Sequence, residues 1–468
     1  MKAFRGRGAA IRAVAGIALM TALSGCLKPT PFASPDFPFR DRYATRAGAP
    51  VLLGNAAWWR RMHDPVLDRL MDRALDDSLS LALARERVVA ARAALAADAP
   101  PATLSGTARA GVQGGRSDGV DSDPDTVGAG TLGLSWLLDP WGARRNRLKA
   151  LAAEVEVADA ERDSAQLLLL LNLGQSYVDL RYSERLLALR EGERAGRLRT
   201  LELTRTLAEA EAATRLETTR SRARVAEIEA QLPGLRAAVA ARRNEIAVLA
   251  ALRPGDLDDL LARTRAEQPM AALSPEIGVP ADLLRNRPDI RVAERQYYAA
   301  VARIDEARAA LYPSLSLTGT LNVNALSRSG RGADYFLGPS VRFPVLPDGS
   351  TRAEVARRHS LARQAHINWS STVLQAILEV ENALVDYQAT AVSVDAARRA
   401  VRLNRESLEL TREVVRRGDA TLNDLIDAEQ AVSSSEQALA ETLQRLGRSF
   451  VELNVRLGAG HGTGSSQP

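Results

Sequence analysis

The 468-residue chain is expected to be mainly α with a transmembrane β-barrel, built from one helix-strand-strand-helix-helix unit written twice. Three observations predict this. First, Leu-Glu-Leu-Thr-Arg occurs at residues 201–205 and again at 408–412. At the same offset of 207 residues Val178 and Asp179 fall on Val385 and Asp386, Ala213 and Thr214 on Ala420 and Thr421, and Pro140 and Gly142 on Pro347 and Gly349. Upstream the register shifts by six residues, as a loop insertion would cause, so that Pro100 matches Pro313 and Gly106 matches Gly319. Second, residues 142–207 and 350–415 contain no proline, and each stretch predicts a helix of roughly 100 Å at 1.5 Å per residue. Third, no apolar run is long enough to cross a membrane as a helix. Alternating segments of about ten residues do recur at equivalent places, and that is the length of a tilted membrane strand.

Residues 1–25 carry Lys2, Arg5, Arg7 and Arg12, no acid, and an apolar stretch at 13–23. This is the pattern of a secretory signal peptide and is too short for a membrane span. It ends in Leu23-Ser24-Gly25-Cys26, which resembles a bacterial lipobox, and Cys26 is the only cysteine. The resemblance implies cleavage before Cys26, with an N-acyl group and an S-diacylglycerol on that residue, and several acyl chains together anchor stably. Leu27 follows rather than an acidic residue, which favours outer-membrane sorting. No disulfide within one chain is possible. Without its leader the chain keeps 58 basic and 57 acidic residues, interleaved along the helices, so the sequence pI of about 9.6 does not indicate a nucleic-acid partner.

Residues 26–56, with Pro29, Pro31, Pro35 and Pro38, are expected to form the lipid anchor and an extended tether. The first repeat is expected at 57–252 with strands near 103–113 and 127–136, and the second at 281–458 with strands near 314–324 and 335–343. A crossover linker at 253–280 carries four prolines, and 459–468 is expected to be a flexible tail. The best strand signal is 314–324, where Leu315, Leu317, Gly319, Leu321 and Val323 alternate with Ser, Thr and Asn. One apolar and one hydroxyl-rich face suits lipid on one side and water on the other. Trp136, Trp141, Tyr312, Tyr335, Phe336 and Phe343 are expected at strand ends, as an interfacial girdle. A soluble hairpin shares the alternation of any single strand; the match between repeats favours a barrel.

The returning helices show a seam. Leu439, Leu443, Leu446, Phe450, Leu453 and Leu457 alternate spacings of four and three, as do Ile228, Leu232, Leu235, Val239, Ile246 and Leu249, with Arg242 in the missing apolar slot. Turns are expected near 208–213 and 417–420. A set of four strands cannot close a barrel, so copies must join, giving eight, twelve or sixteen strands for two, three or four copies.

Catalytic chemistry is not indicated. Residues 128–133 match GxGxxG in spacing, but they lie inside a strand pattern and open no helix, as a dinucleotide site requires. The four histidines, at 63, 359, 366 and 461, fall in no metal-ligand motif. The chain is expected not to be an enzyme and to need no cofactor or metal.

The residues that carry a family resemblance are Trp58, Asp64, Pro65, Leu67, Ala74 and Leu75 at the first helix; Ser135, Trp136, Asp139, Pro140, Trp141 and Gly142 at a strand-to-helix junction; Asp282, Leu283 and Leu284 with Arg287-Pro288-Asp289-Ile290 and Glu294; Tyr312-Pro313-Ser314-Leu315; and Gly338, Pro339, Pro344, Asp348 and Gly349. Through them the chain resembles the TolC-like outer-membrane efflux protein family, specifically its lipoprotein branch. Two departures are Tyr312, where the family often has Phe, and a first turn without a counterpart of Gly418. The resemblance implies a homotrimer in which a twelve-stranded β-barrel in the outer membrane continues as a twelve-helix α-barrel tunnel. It further implies a passive duct for small molecules, a periplasmic adaptor and an inner-membrane resistance-nodulation-division pump as partners, and outer-membrane lipid around the barrel. A duct for type I protein secretion shares this architecture, and a non-conducting lipid-anchored spacer shares the helices. Asp419, Asp424, Glu209 and Glu211 lie at or near the turns and are candidate periplasmic gate residues, or ordinary turn and surface acids.

Overall fold

A computed structural model describes residues 57–100, 102–113, 116–117, 120–121, 125–211, 213–257, 288–326, 330–342, 349–417 and 419–461, with 30, 37–40, 43–44, 261, 268, 282 and 286–287. Cys26, the leader, most of the tether and linker, Gly418 and the end of the tail lie outside these residues. The chain forms two compact units: Met1–Asp36, Val88–Ala158 and Val292–Trp369 in one, Phe37–Arg87, Asp159–Arg291 and Ser370–Pro468 in the other.

In chain order, a 3-10 turn Trp58–Met62 precedes α1 (Pro65–Asp77), α2 (Leu79–Asp98), β1 (Ala102–Gln113), the short β2 (Arg116–Ser117) and β3 (Val120–Asp121), and β4 (Asp125–Leu138). Then come α3 (Ala143–Glu209), α4 (Arg215–Leu249), α5 (Pro288–Ala309), β5 (Ser314–Leu326), β6 (Gly330–Arg342), α6 (Gly349–Arg416) and α7 (Leu422–Arg456). The helix expected before β1 is two helices, because Ser78 takes an extended ψ of 128° between them.

The first unit holds an antiparallel sheet in the order β1-β4-β5-β6. Its register carries the alternation from strand to strand. Gly106, Leu132, Leu321 and Tyr335 stand in one row, and the neighbouring row is Thr107, Thr131, Asn322 and Asp334. Since side chains of paired residues share a face, the rows through the middle of the sheet alternate between apolar and mainly polar, a pattern lost towards the β5–β6 loop, where Arg331 joins Ala110, Gly128 and Ala325. The fourth strand begins at Gly330, five residues before the expected start at 335. Gly330, Arg331, Gly332, Ala333 and Asp334 have weak strand propensity, yet each pairs with a β5 residue between Asn322 and Leu326. Tyr335 and Phe336 therefore lie mid-strand rather than at its end, which corrects the expected girdle. Trp136, Trp141 and Tyr312 remain at one end of the sheet, and Phe343 lies outside the described residues.

The second unit is helical. Asp64 caps α1, accepting from the Val66 and Leu67 amides at 2.9 and 3.3 Å, with Pro65 at the first helical position, where its missing N–H costs nothing. Trp58 and Leu67 are wholly buried, and Trp58 meets Phe450 edge-on. The α7 seam buries Leu446, Phe450, Leu453 and Leu457. Two glycines allow close helix approach: a Cβ on Gly447 would come within 3.0 Å of Val178, and one on Gly174 within 3.0 Å of Val451. The α4 seam buries Ile228, Leu232, Val239 and Ile246. Arg242, in the missing slot of that seam, pairs with Glu245 at 2.7 Å and lies 3.8 Å from Asp179, which accepts from Gln444 at 2.8 Å and Arg448 at 2.7 Å. No described helix is long and apolar enough to cross a membrane.

Candidate conduit wall and helical tips

The sheet presents large apolar side chains to its surroundings. Tyr335 is 85% exposed and Leu337 66%, and Leu132, Trp136, Leu321, Val323 and Val341 are exposed on the same face. A soluble sheet would cover such a face. On the other face Thr107, Thr131 and Thr320 are exposed, and Asn322 Nδ2 donates to Asp334 at 2.8 Å across β5 and β6. Leu137 and Phe336 are apolar exceptions there, the Phe336 ring packed over Gly338, where a Cβ would come within 3.0 Å. Strands β1 and β6 are the outer strands of this sheet, each with one edge unpaired among the described residues.

A defined junction ends the sheet. Gly142 has φ 76°, in the left-handed region, and so turns the chain from β4 into α3 without Cβ strain. The Asp139 carboxylate accepts from the Arg145 amide at 2.9 Å. Trp141 donates from Nε1 to the Pro313 carbonyl at 2.8 Å and stacks on Tyr312 at 4.7 Å. The Asp-Pro-Trp-Gly and Tyr-Pro-Ser motifs thus bind each other.

The motif residues of the second unit are framework. Arg287 donates to Asp289 through Nε and Nη2, at 3.0 and 2.6 Å, to Glu379 at 2.8 Å, and to the Arg456 carbonyl at the end of α7 at 3.1 Å. Tyr177 donates to Asp64 at 2.5 Å, and Arg181 donates to the Tyr177 hydroxyl at 2.9 Å and to Glu184 at 3.0 Å.

At the tips the two repeats do the same thing with different residues. Thr421 accepts from the Asp424 amide at 3.3 Å, while its own amide and hydroxyl donate to Asp424 Oδ2 at 2.8 and 2.6 Å. Thr214 and Glu217 form the equivalent capping box, at 3.2, 2.7 and 2.9 Å. The Thr421 hydroxyl and then its amide hold the Asp424 carboxyl below its usual range; for Glu217 the Thr214 amide leads and the hydroxyl follows. Asp424 is therefore the cap partner of α7. Its counterpart Glu217 was not among the residues singled out from sequence, although the Thr-x-x-Glu and Thr-x-x-Asp spacing marks both.

Glu209 is the last residue of α3, and Glu211 takes φ 57° at the position that matches Gly418 in the second repeat. An ordinary residue here accepts the left-handed conformation that glycine tolerates best. The Asp419 amide closes the α6 turn on the Val414 carbonyl, and its carboxylate pairs with no described residue. Arg417, one residue past the end of α6, pairs with Glu413 of that helix and with none of the four candidate acids. No described contact brings the four candidate gate acids together.

A model of outer membrane efflux proteins matches residues 70–251 and 279–459. The chain belongs to the outer membrane efflux protein family. Nodulation protein T of Rhizobium leguminosarum bv. trifolii is 32% identical over 452 residues, covering 94% of this chain and 95% of that protein. The pyoverdine export outer membrane protein OpmQ of Pseudomonas aeruginosa is 32% identical over 429 residues, covering 86% and 87%. The toluene efflux pump outer membrane protein TtgF of Pseudomonas putida is 30% identical over 489 residues, covering 97% and 98%. Among solved structures, the outer-membrane channel OprN superposes with a TM-score of 0.80 at 28% identity, over 93% of this chain and 99% of that one. The Neisseria gonorrhoeae MtrE channel in its open state gives 0.79 at 25% identity, over 93% and 98%. This outer membrane efflux protein has the fold of these channels, mainly α with a barrel sheet, and belongs among channel proteins of the outer membrane rather than among enzymes.

Proposed function

We propose that this outer membrane efflux protein is the passive outer-membrane duct of a tripartite efflux system. Three copies would close a twelve-stranded barrel and receive small molecules from an inner-membrane pump through a periplasmic adaptor. The observation that carries this is the sheet: its large apolar face is exposed, and its two outer strands have free edges. Strands β1 and β6 run antiparallel to each other through the sheet order, so the β6 edge of one copy can continue into the β1 edge of the next without changing pattern. The pyoverdine export of OpmQ and the toluene efflux of TtgF favour small cargo over secreted protein. Cys26 is proposed as the lipidated residue, with N-acyl and S-diacylglycerol groups, assisting an insertion that the strands drive. Asp419, Asp424, Glu209 and Glu211 are proposed to contribute to a periplasmic aperture; for Asp424 that role is additional to capping α7. Planar-bilayer recording of the purified full-length protein tests the duct. Stable conductance steps are expected, and a protein that incorporates but never conducts is a spacer.

A further inference from the structure

At one end of the sheet every strand meets a helix: α2 leads into β1, β4 into α3, α5 into β5 and β6 into α6. Side chains tie these ends together. Arg147 pairs with Asp98 at 2.6 Å, Trp141 binds Pro313, and Arg308 lies 3.1 Å from His359. The segments leaving the sheet are basic, with Arg144, Arg145, Arg147 and Lys149 in α3, Arg342 ending β6, and Arg352, Arg357 and Arg358 in α6. Fewer acids answer them. Asp98 takes Arg147, Glu354 is shared by Arg357 and Arg358, and Asp139 binds a backbone amide. Arg145, Lys149, Arg342 and Arg352 are exposed and pair with no described acid.

This distribution works against the helices themselves. A helix start favours acids, and α4 and α7 have them there, in Glu217 and Asp424. Neither α3 nor α6 has an acid in its first turn. The cations therefore serve something outside the helix. Thr30 shows what lies beside them. Its amide and hydroxyl donate to Asp305 near the end of α5, at 2.9 and 2.5 Å, and Arg308 donates to its hydroxyl at 2.7 Å. Four residues reach at most about 14 Å, so a lipidated Cys26, as proposed above, would lie within that distance of Thr30 at this end of α5. The stacked Trp141 and Tyr312 pair, amphipathic rings of the kind that settle at headgroup level, lies at the same junction.

We propose that this collar binds the phosphates of anionic phospholipid headgroups, in the leaflet on the helical side of the barrel. The proposal rests on the membrane insertion argued above. Basic residues close to an anionic surface each contribute favourably and additively at short range. Native mass spectrometry tests it on the full-length protein in detergent, mixed with equal amounts of phosphatidylglycerol and phosphatidylcholine of identical acyl chains. Retained phosphatidylglycerol is expected to exceed phosphatidylcholine on the order of ten-fold. The variant Arg145→Gln, Lys149→Gln, Arg342→Gln, Arg352→Gln should bring that ratio close to one. Should this variant not assemble, Arg145→Gln with Lys149→Gln should lower the ratio part of the way. An even ratio in the parent, or a ratio unchanged in an assembled variant, overturns the proposal. So does competition by inorganic phosphate at the lipid's own concentration, which would mark an isolated anion site. Conductance of the parent reports separately: a non-conducting protein that still prefers phosphatidylglycerol removes the duct and leaves the collar.

Discussion

Arg181 is 2% exposed and its guanidinium lies between the Tyr177 hydroxyl and Glu184, with Asp64 at 3.9 Å. Arg181→Ala should destabilise by roughly 3 kcal/mol, the low end for breaking a buried pair, because Arg243 stays 2.8 Å from Glu184. A lowered thermal midpoint by circular dichroism is the readout. At the tips, Asp424 and Glu217 have carboxyls held below the usual range, so their caps are complete above an ordinary carboxylate pKa of about 4 and are lost as pH falls through the lower folded values. Protection of the amides in the first turns of α4 and α7, corrected for the intrinsic pH dependence of exchange, should therefore fall only in acid. Asp419→Ala with Asp424→Ala should loosen the closed state, raising closed-state conductance and vancomycin entry with assembly intact. Glu217→Ala removes the equivalent cap in the other turn. If it opens the channel equally, cap loss is the cause and the gate lies elsewhere.

For single elements, the helices and the face alternation were legible in the sequence because periodicity over ten or more residues survives local exceptions. What escaped is what pairing or packing decides. Residues 330–334 become strand because β5 offers them a ladder, against their own propensity. Arg242 looked like a flaw in an apolar seam, yet it pairs with Glu245 and lies 3.8 Å from Asp179. Glu211 takes a positive φ although its sequence shows no glycine, since the turn between α3 and α4 requires it. The tail was expected to be flexible from 459, yet the Gly460 carbonyl accepts from Gln166 at 2.8 Å and His461 is buried. Among the candidate site residues, the spacing located the turns, but the capping role of Asp424 was hidden behind its charge. Packing also separates two glycines of one helix pair. Gly447→Val should push α7 off Val178 and destabilise by about 1–3 kcal/mol. Gly192→Ala adds a methyl that meets nothing within 4 Å, and should be stabilising by roughly 0.5–1 kcal/mol. Thermal melts of the two variants should move in opposite directions.

The molecule as a whole is incomplete as a single chain. Its helices carry buried seams, but the sheet exposes Tyr335, Leu337 and Val341 and leaves β1 and β6 with open edges. A sheet with free edges cannot rest in lipid, where unpaired backbone groups have no water to bind. Four strands per chain therefore fix the barrel at a multiple of four, and membership in the outer membrane efflux protein family argues for three copies. The most direct test is the protein mass of the detergent-solubilised particle by multi-angle light scattering, with bound detergent subtracted. Three copies of the mature chain per particle are predicted. A monodisperse, folded monomer would contradict the claim that copies of this sheet complete one another.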